Sequence, residues 1–492
     1  MNIRLAGVEP GFRTAIGRIV DLFYDNPEII FSEDKPAAPG VEIRLESGRV
    51  LFREVGGAAP PDAHGESEAE RARRRREVSV AVLEMLQEET GIRQPWGVLT
   101  GVRPTKLLHR ELRKGADMGE ALASLAEETL VSESKLGLME RIVRRQLAAL
   151  PDLYDLGREV SIYIGIPFCP TKCAYCTFPA YAIGSSQGAV EPFLAGLHHE
   201  MKTVGRWLKE HGIGVTTVYF GGGTPTSITA DEMDRLYAEL YDSFPNPAAI
   251  REVTVEAGRP DTITPDKLSV LRKWNISRIS INPQTYTPET LRAIGRHHTV
   301  EETIEKFWLA REMGMDNINM DLIIGLPGEG MAEFAHTLEK TAELMPESLT
   351  VHTLSFKRAS EMTQNRDKYP VAGREEIHRM MAAAENWTAS HGYHPYYLYR
   401  QKNILGNLEN VGYAKPGRES LYNIIIMEEV QTIIGLGCGA ASKWIDPATG
   451  AIARTANPKE PKAYNEQVLR CTEEKIEELE KRFGRGRTAA AV

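Results

Sequence analysis

Between residues 156 and 354 the chain alternates short apolar runs with longer amphipathic stretches. Apolar runs of strand length fall at 161–166, 216–220, 252–256, 277–282, 317–323 and 348–354, and a helical pattern separates each from the next. Several helix starts carry their own signature. Thr229-Ala-Asp-Glu232 and Thr299-Val-Glu-Glu302 predict capping boxes, and Thr264-Pro265 and Thr287-Pro288 place Pro behind a Thr cap. Repeated βα units predict a parallel sheet with right-handed crossovers. Six units fall short of the eight in a closed barrel. The expected fold class is therefore α/β, with a partial, open (β/α)6 barrel over residues 156–375.

The flanks follow other patterns. Residues 1–155 read as an α+β module. Val41 to Val55 alternates apolar and polar positions as a hairpin does, 56–65 is a Gly/Pro/Ala-rich connector, and Ser67 to Glu89 reads as a helix carrying Arg71 and Arg73 to Arg76. Trp96 to Lys106 is turn-rich and ends in a basic helix start, which suits RNA or an acidic ligand but is more ordinarily a solvated face. Residues 376–492 read as a C-terminal mixed α/β module, with a charged helix at Glu473 to Arg482 and a frayed tail from Gly484.

The 492 residues suggest about three domains. A net charge of −9 argues against a nucleic-acid binder. No run of 18 apolar residues predicts a membrane span, and Met1-Asn-Ile-Arg-Leu does not open a signal peptide. Five cysteines are too sparse, and odd in number, for a disulfide framework, so reduced thiols and a cytoplasmic location are expected.

Three of those cysteines lie in one loop directly after the first strand. Cys169, Cys173 and Cys176 have the spacing C-x3-C-x2-C. Three thiolates can hold three irons of a [4Fe–4S] cluster and leave the fourth iron open, and an open coordination position marks a metal that does chemistry. A structural zinc site or three buried thiols are the alternatives. Zinc would call for a fourth nearby Cys or His, and the nearest histidines, His198 and His199, lie in a helical pattern over twenty residues on.

Other unusual residues sit at later strand ends, where function collects in such barrels. Gly221-Gly-Gly-Thr-Pro225 follows the second strand, and its glycines let backbone approach a ligand. Glu256 ends the third strand, where a carboxylate can accept both hydroxyls of a ribose. Gln284 ends the fourth, Arg296 follows on the next helix, and Asp321 stands in the fifth.

In this order the motifs resemble the radical S-adenosylmethionine (SAM) superfamily. Within it they resemble the oxygen-independent coproporphyrinogen III oxidase-like family, closest to its HemZ (coproporphyrinogen dehydrogenase) branch. The resemblance rests on Tyr163-x-x-Ile-Pro-Phe-Cys169, Gly222 to Thr224, Glu256, Gln284, Arg296, Asp321-Leu-Ile-Ile-Gly-Leu-Pro-Gly328, and Asn407 to Gly417. It implies a radical SAM barrel with two cofactors, a [4Fe–4S] cluster on Cys169, Cys173 and Cys176, and SAM on the open iron. Tyr163, Gly222 and Glu256 would contact that SAM. Tyr175, Gly223, Thr224, Gln284, Arg296 and Asp321 would line a second SAM position.

The resemblance also implies an activity. A 5′-deoxyadenosyl radical removes hydrogen from a propionate β-carbon of coproporphyrinogen III, CO2 leaves, and an electron passes on. Two such steps give protoporphyrinogen IX. The electron donor and acceptor stay undefined. One departure bears on this: the oxidases carry a fourth cysteine where this chain has Phe178, and the haem-chaperone branch has Phe there too. A haem-binding and transfer protein is therefore the second reading, and a radical SAM enzyme acting on another substrate, such as RNA, the third.

A small-molecule tetrapyrrole partner needs cations and apolar walls. Lys357, Arg358 and the run His394-Pro-Tyr-Tyr-Leu-Tyr-Arg400-Gln-Lys402 offer both, unless that run is simply an aromatic strand packed under the barrel mouth. Cys438 reads as a small buried side chain in a Gly-rich loop, Cys471 as incidental, and His297 and His298 as helix surface.

Overall fold

The computed structural model describes residues 2–6, 11–24, 28–32, 41–45, 49–53, 67–101, 103–183, 189–357, 359–446 and 449–484. The connector at 56–65, Arg358 and the tail beyond Gly484 lie outside the described residues. The chain divides into two compact units, Met1–Glu140 and Arg141–Val492.

In the first unit, β1 (Asn2–Ala6), β2 (Glu28–Ser32), β3 (Val41–Leu45) and β4 (Arg49–Arg53) form one sheet in the order β2-β1-β3-β4. β3 and β4 are the expected antiparallel hairpin. The expected helix runs Glu68–Thr90. Ser67 and Glu70 close its N-terminus reciprocally, and Gly91 ends it in the left-handed region at φ 69°. Ile16, Ile19 and Val20 pack with Val82, Leu83 and Leu86 in this unit's core.

The second unit is built on one eleven-stranded sheet. Its strands are β5 (Val160–Ile166), β6 (Val215–Gly222), β7 (Glu252–Val255), β8 (Arg278–Ser280), β9 (Ile318–Ile324), β10 (Ser348–Thr353), β11 (His394–Tyr399), β12 (Asn410–Ala414), β13 (Thr432–Gly437), β14 (Ala441–Ile445) and β15 (Ile452–Ala456). β5 to β10 are parallel, pair in chain order, and match the six expected strands. Their runs are near-continuously buried, as strands covered on both faces must be.

The sheet continues past both ends of the six. β13 pairs in parallel with β5 and leads into the β14–β15 hairpin, while β12 and β11 extend antiparallel from β10. β11 and β15 are the two outer strands, so the sheet does not close: this is the partial barrel. The Gly-rich run at 435–442 is thus a strand and a hairpin, not a loop. Its glycines permit close approach. A Cβ on Gly437, at φ +83°, would lie 2.4 Å from the Gly165 carbonyl oxygen.

The caps vary. Thr229 and Glu232 form the full capping box, with Glu232 N–H donating to Thr229 Oγ1 at 3.2 Å and Thr229 N–H to Glu232 Oε2 at 2.8 Å. Thr264 and Thr299 accept from Lys267 N–H at 3.4 Å and Glu302 N–H at 3.1 Å. Thr287 does not cap with its side chain; its own N–H donates to Thr285 Oγ1 at 3.1 Å.

The charged helix begins earlier than expected and spans Pro461–Phe483. It is tied to helix Val190–His211 through the fully buried Glu200. That carboxylate accepts from Lys475 Nζ at 2.9 Å, Tyr464 OH at 2.8 Å and the Gly437 N–H at 2.7 Å. Cys471 is buried in the same helix, and Cys438 is buried as expected. Among the described residues, no helix is long and apolar enough to cross a membrane.

Candidate active site

The cysteine loop is pinned before any metal is considered. After β5, Tyr181 N–H donates to Pro167 O at 2.9 Å and Cys169 N–H to Tyr181 O at 3.2 Å. Ala174 N–H donates to Ile294 O at 3.0 Å, and Thr171 Oγ1 to Gly295 O at 2.9 Å. The end of β6 is stitched to the same loop, through Gly223 N–H to Ile166 O and Thr224 N–H to Phe168 O, both 2.7 Å. A Cβ on Gly223 would lie 2.5 Å from Phe168 O, so only glycine lets these two strand ends meet.

The strand ends open on one cavity of about 560 Å³. All twelve residues singled out from the sequence border it: Cys169, Cys173 and Cys176, then Tyr163, Tyr175, Gly222, Gly223, Thr224, Glu256, Gln284, Arg296 and Asp321. Phe178 stands at its edge, 56% exposed.

The three cysteines are free thiols. Burial pushes Cys169 up to about 11, against a 3.3 Å contact with Thr224 Oγ1 that lowers it. Burial likewise raises Cys176. Thiols so placed become thiolates readily only when a metal takes the charge. Among the described residues, no three His, Cys, Asp or Glu side chains converge as ligands of one metal ion. A four-iron cluster needs no such convergence, since each thiolate binds its own iron.

Among the described residues, four buried polar atoms on cavity side chains have no hydrogen-bond partner: Ser280 Oγ, Gln284 Oε1, Arg296 Nε and Tyr422 OH. Buried polar groups ordinarily find hydrogen bonds, so these are natural contacts for a polar ligand. Gln284 takes a left-handed backbone, φ 66°, which its N–H bond to Asp321 O at 2.9 Å and its accepted bond from Ile323 N–H at 3.0 Å hold in place. Three thiols on one wall, a glycine-lined approach and unmet polar atoms fit a [4Fe–4S] cluster with SAM beside it.

Two carboxyl groups in the cavity are tuned in opposite directions. Burial raises Glu256 to about 7, although the Tyr219 hydroxyl donates to its Oε1. Burial also pushes Asp321 upward, but its partners win and hold it below the usual carboxylate range. They are His352, with Nε2 at 3.4 Å, Asn319, with Nδ2 at 2.8 Å, and Thr350; Asn282 Nδ2 also donates to the carboxylate at 2.9 Å. One group thus sits near neutrality and the other stays ionised.

The sequence reading missed several cavity residues. Tyr219 and Tyr422 stack at 4.5 Å between ring centroids, with Tyr163 6.1 Å from Tyr219. His352 lies 3.3 Å from Tyr399 OH, and Arg259 reaches the cysteine loop. Position was the available signal: Arg259 follows Glu256 by three residues, and His352 shares a strand face with Thr350.

Of the residues expected to meet a tetrapyrrole and their neighbours, Lys357, Tyr397, Tyr399 and Gln401 border the cavity. Arg400 does not; it is buried and donates to Asn407 Oδ1. His297 is exposed as expected, but His298 is buried, and burial beside Arg296 and Arg259 drives it down to about 3.

Comparison with known proteins agrees with this geometry. Residues 163–341 match the radical SAM superfamily. The chain is 59% identical to the oxygen-independent coproporphyrinogen-III oxidase-like protein HemZ of Bacillus subtilis, over 98% of this chain and 99% of that protein. The chain belongs to this HemZ family. As a radical SAM family, it uses a [4Fe–4S] cluster and SAM. The haem chaperone HemW of Bacillus subtilis is 30% identical over 57% of this chain and 70% of its own. Among solved structures, coproporphyrinogen III oxidase (HemN) from Escherichia coli shares the fold. It has TM-score 0.52 and 24% identity, over 66% of this chain and 72% of that one.

Proposed function

We propose that this protein carries out the oxygen-independent oxidative decarboxylation of coproporphyrinogen III to protoporphyrinogen IX, in the cytoplasm. The observation that carries the reading is the gathering of all twelve motif residues around one cavity. Cys169, Cys173 and Cys176 hold the cluster. The cluster and SAM together supply the hydrogen-abstracting radical. Tyr163, Gly222 and Glu256 position the SAM, with Glu256 accepting from its ribose hydroxyls. Tyr175, Gly223, Thr224, Gln284, Arg296 and Asp321 form the wall of a second SAM position or of the substrate. Lys357 offers a cation to a propionate, and the stacked tyrosines offer a flat apolar wall. Residues 156–375 carry the radical chemistry, 376–492 shape the substrate side, and 1–155 act as a separate module.

Phe178 supports a second reading. It stands at the cavity edge where the oxidases have a cysteine, and the chaperone HemW is among the relatives. On that reading the protein binds and transfers haem.

One experiment separates the two. The protein, reconstituted anaerobically, is given SAM, a strong reductant and coproporphyrinogen III, and products are separated by chromatography. The decarboxylase reading expects protoporphyrin matched by 5′-deoxyadenosine. SAM cleavage with no porphyrin turnover, together with saturable haem binding, would overturn it in favour of haem handling.

A further inference from the structure

Arg259 is buried, 3% exposed, and belongs to none of the motifs that define the family resemblance. A buried guanidinium is costly unless its donors are used. Here every nitrogen of the fork is engaged. Nε and Nη2 grip the Asp261 carboxylate at 3.1 and 3.0 Å. Nη1 donates to Thr171 Oγ1 at 2.9 Å and to Thr171 O at 3.4 Å, and its remaining approach is to Cys173 Sγ at 3.9 Å. Thr171 is itself fixed, since its hydroxyl donates to Gly295 O at 2.9 Å.

The arrangement is directional. Asp261 orients the guanidinium from behind, so the positive end of the ion pair faces the sulfur. An N–H aimed at a cluster thiolate draws electron density from it and favours the more negative, reduced cluster. Lysine could not replace this geometry, because a single ammonium cannot grip the carboxylate with one edge and face the sulfur with another.

We propose that Arg259 is a positioning residue that raises the reduction potential of the cluster by donating an N–H hydrogen bond to the Cys173 thiolate. The inference rests on Cys173 being a cluster ligand. If that reading fails, the unaltered protein forms no [4Fe–4S] cluster; if only the inference fails, the cluster forms and its potential is indifferent to Arg259.

The test is a redox titration of the full-length reconstituted protein, without substrate, following the reduced cluster by electron paramagnetic resonance. Arg259→Gln is expected to shift the reduction equilibrium at least tenfold toward the oxidised cluster, about 59 mV for one electron. An unchanged potential in Arg259→Gln with full iron content would overturn the proposal. If Arg259→Gln fails to load iron, Arg259→Lys decides. It keeps a positive charge and loses the fork that grips Asp261 while facing Cys173, so the potential is expected to fall, and an unchanged value would overturn the proposal.

Discussion

Glu256 gives the prediction most open to calculation. Its carboxyl is raised from 4.5 to about 7, chiefly by burial, with Tyr219 opposing. A raised acid binds its proton more tightly in the folded chain than in the unfolded one. The folded state therefore has its full advantage below pH 4.5 and loses it as pH rises through 7. At 1.36 kcal/mol per pH unit, the cost of ionising Glu256 in the cofactor-free protein grows from under about 1 kcal/mol near pH 5 to about 3 kcal/mol above pH 8. The side chain borders a cavity that admits water, which makes about 3 kcal/mol a ceiling. Glu256→Gln keeps the acceptor for Tyr219 and cannot ionise. In urea denaturation of the cofactor-free protein from pH 5 to 9, the variant should match the wild type at the acid end and exceed it by up to about 3 kcal/mol at the alkaline end. Parallel stability profiles across that range would refute the reasoning. The variant should also bind SAM more weakly, since an amide is a poorer acceptor for two ribose hydroxyls than a carboxylate.

Two further predictions concern the frame of the site. Lys475→Met leaves Glu200 buried without its counter-charge and should cost about 3–5 kcal/mol in urea denaturation. The double variant Lys475→Met/Glu200→Gln removes the buried charge and keeps an acceptor for Tyr464 OH and the Gly437 N–H, so it should recover most of that loss, and equal losses in single and double variants would argue against a charge effect. Gly223→Ala forces a Cβ to within 2.5 Å of Phe168 O, so the stitch between β5 and β6 must open. Equilibrium dialysis should then show SAM affinity at least about tenfold weaker, about 1.4 kcal/mol, and an unchanged affinity would contradict the close-approach argument.

The features legible in the sequence are local ones. The six barrel strands announce themselves as apolar runs between capped helices, and the cysteine spacing and glycine run are readable because each lies within a dozen residues. What escaped depends on partners far along the chain. β13 pairs with β5 across some 270 residues, and its Gly435 and Gly437 exist to let two backbones approach, so in isolation the run reads as a loop. His352 and Arg259 are residue types that usually face solvent. Only the folded chain sets one against Asp321 and the other against the cysteine loop. His298 was expected on a surface for the same reason, yet it is buried near two arginines.

The central claim is that Cys169, Cys173 and Cys176 together hold a cluster that cleaves SAM. The most direct measurement is iron content, cluster absorbance and 5′-deoxyadenosine formation in anaerobically reconstituted wild-type and Cys173→Ala proteins. The account predicts a [4Fe–4S] spectrum and SAM cleavage in the wild type, and loss of both in the variant. A Cys173→Ala protein that keeps its spectrum and cleaves SAM at the wild-type rate would contradict it.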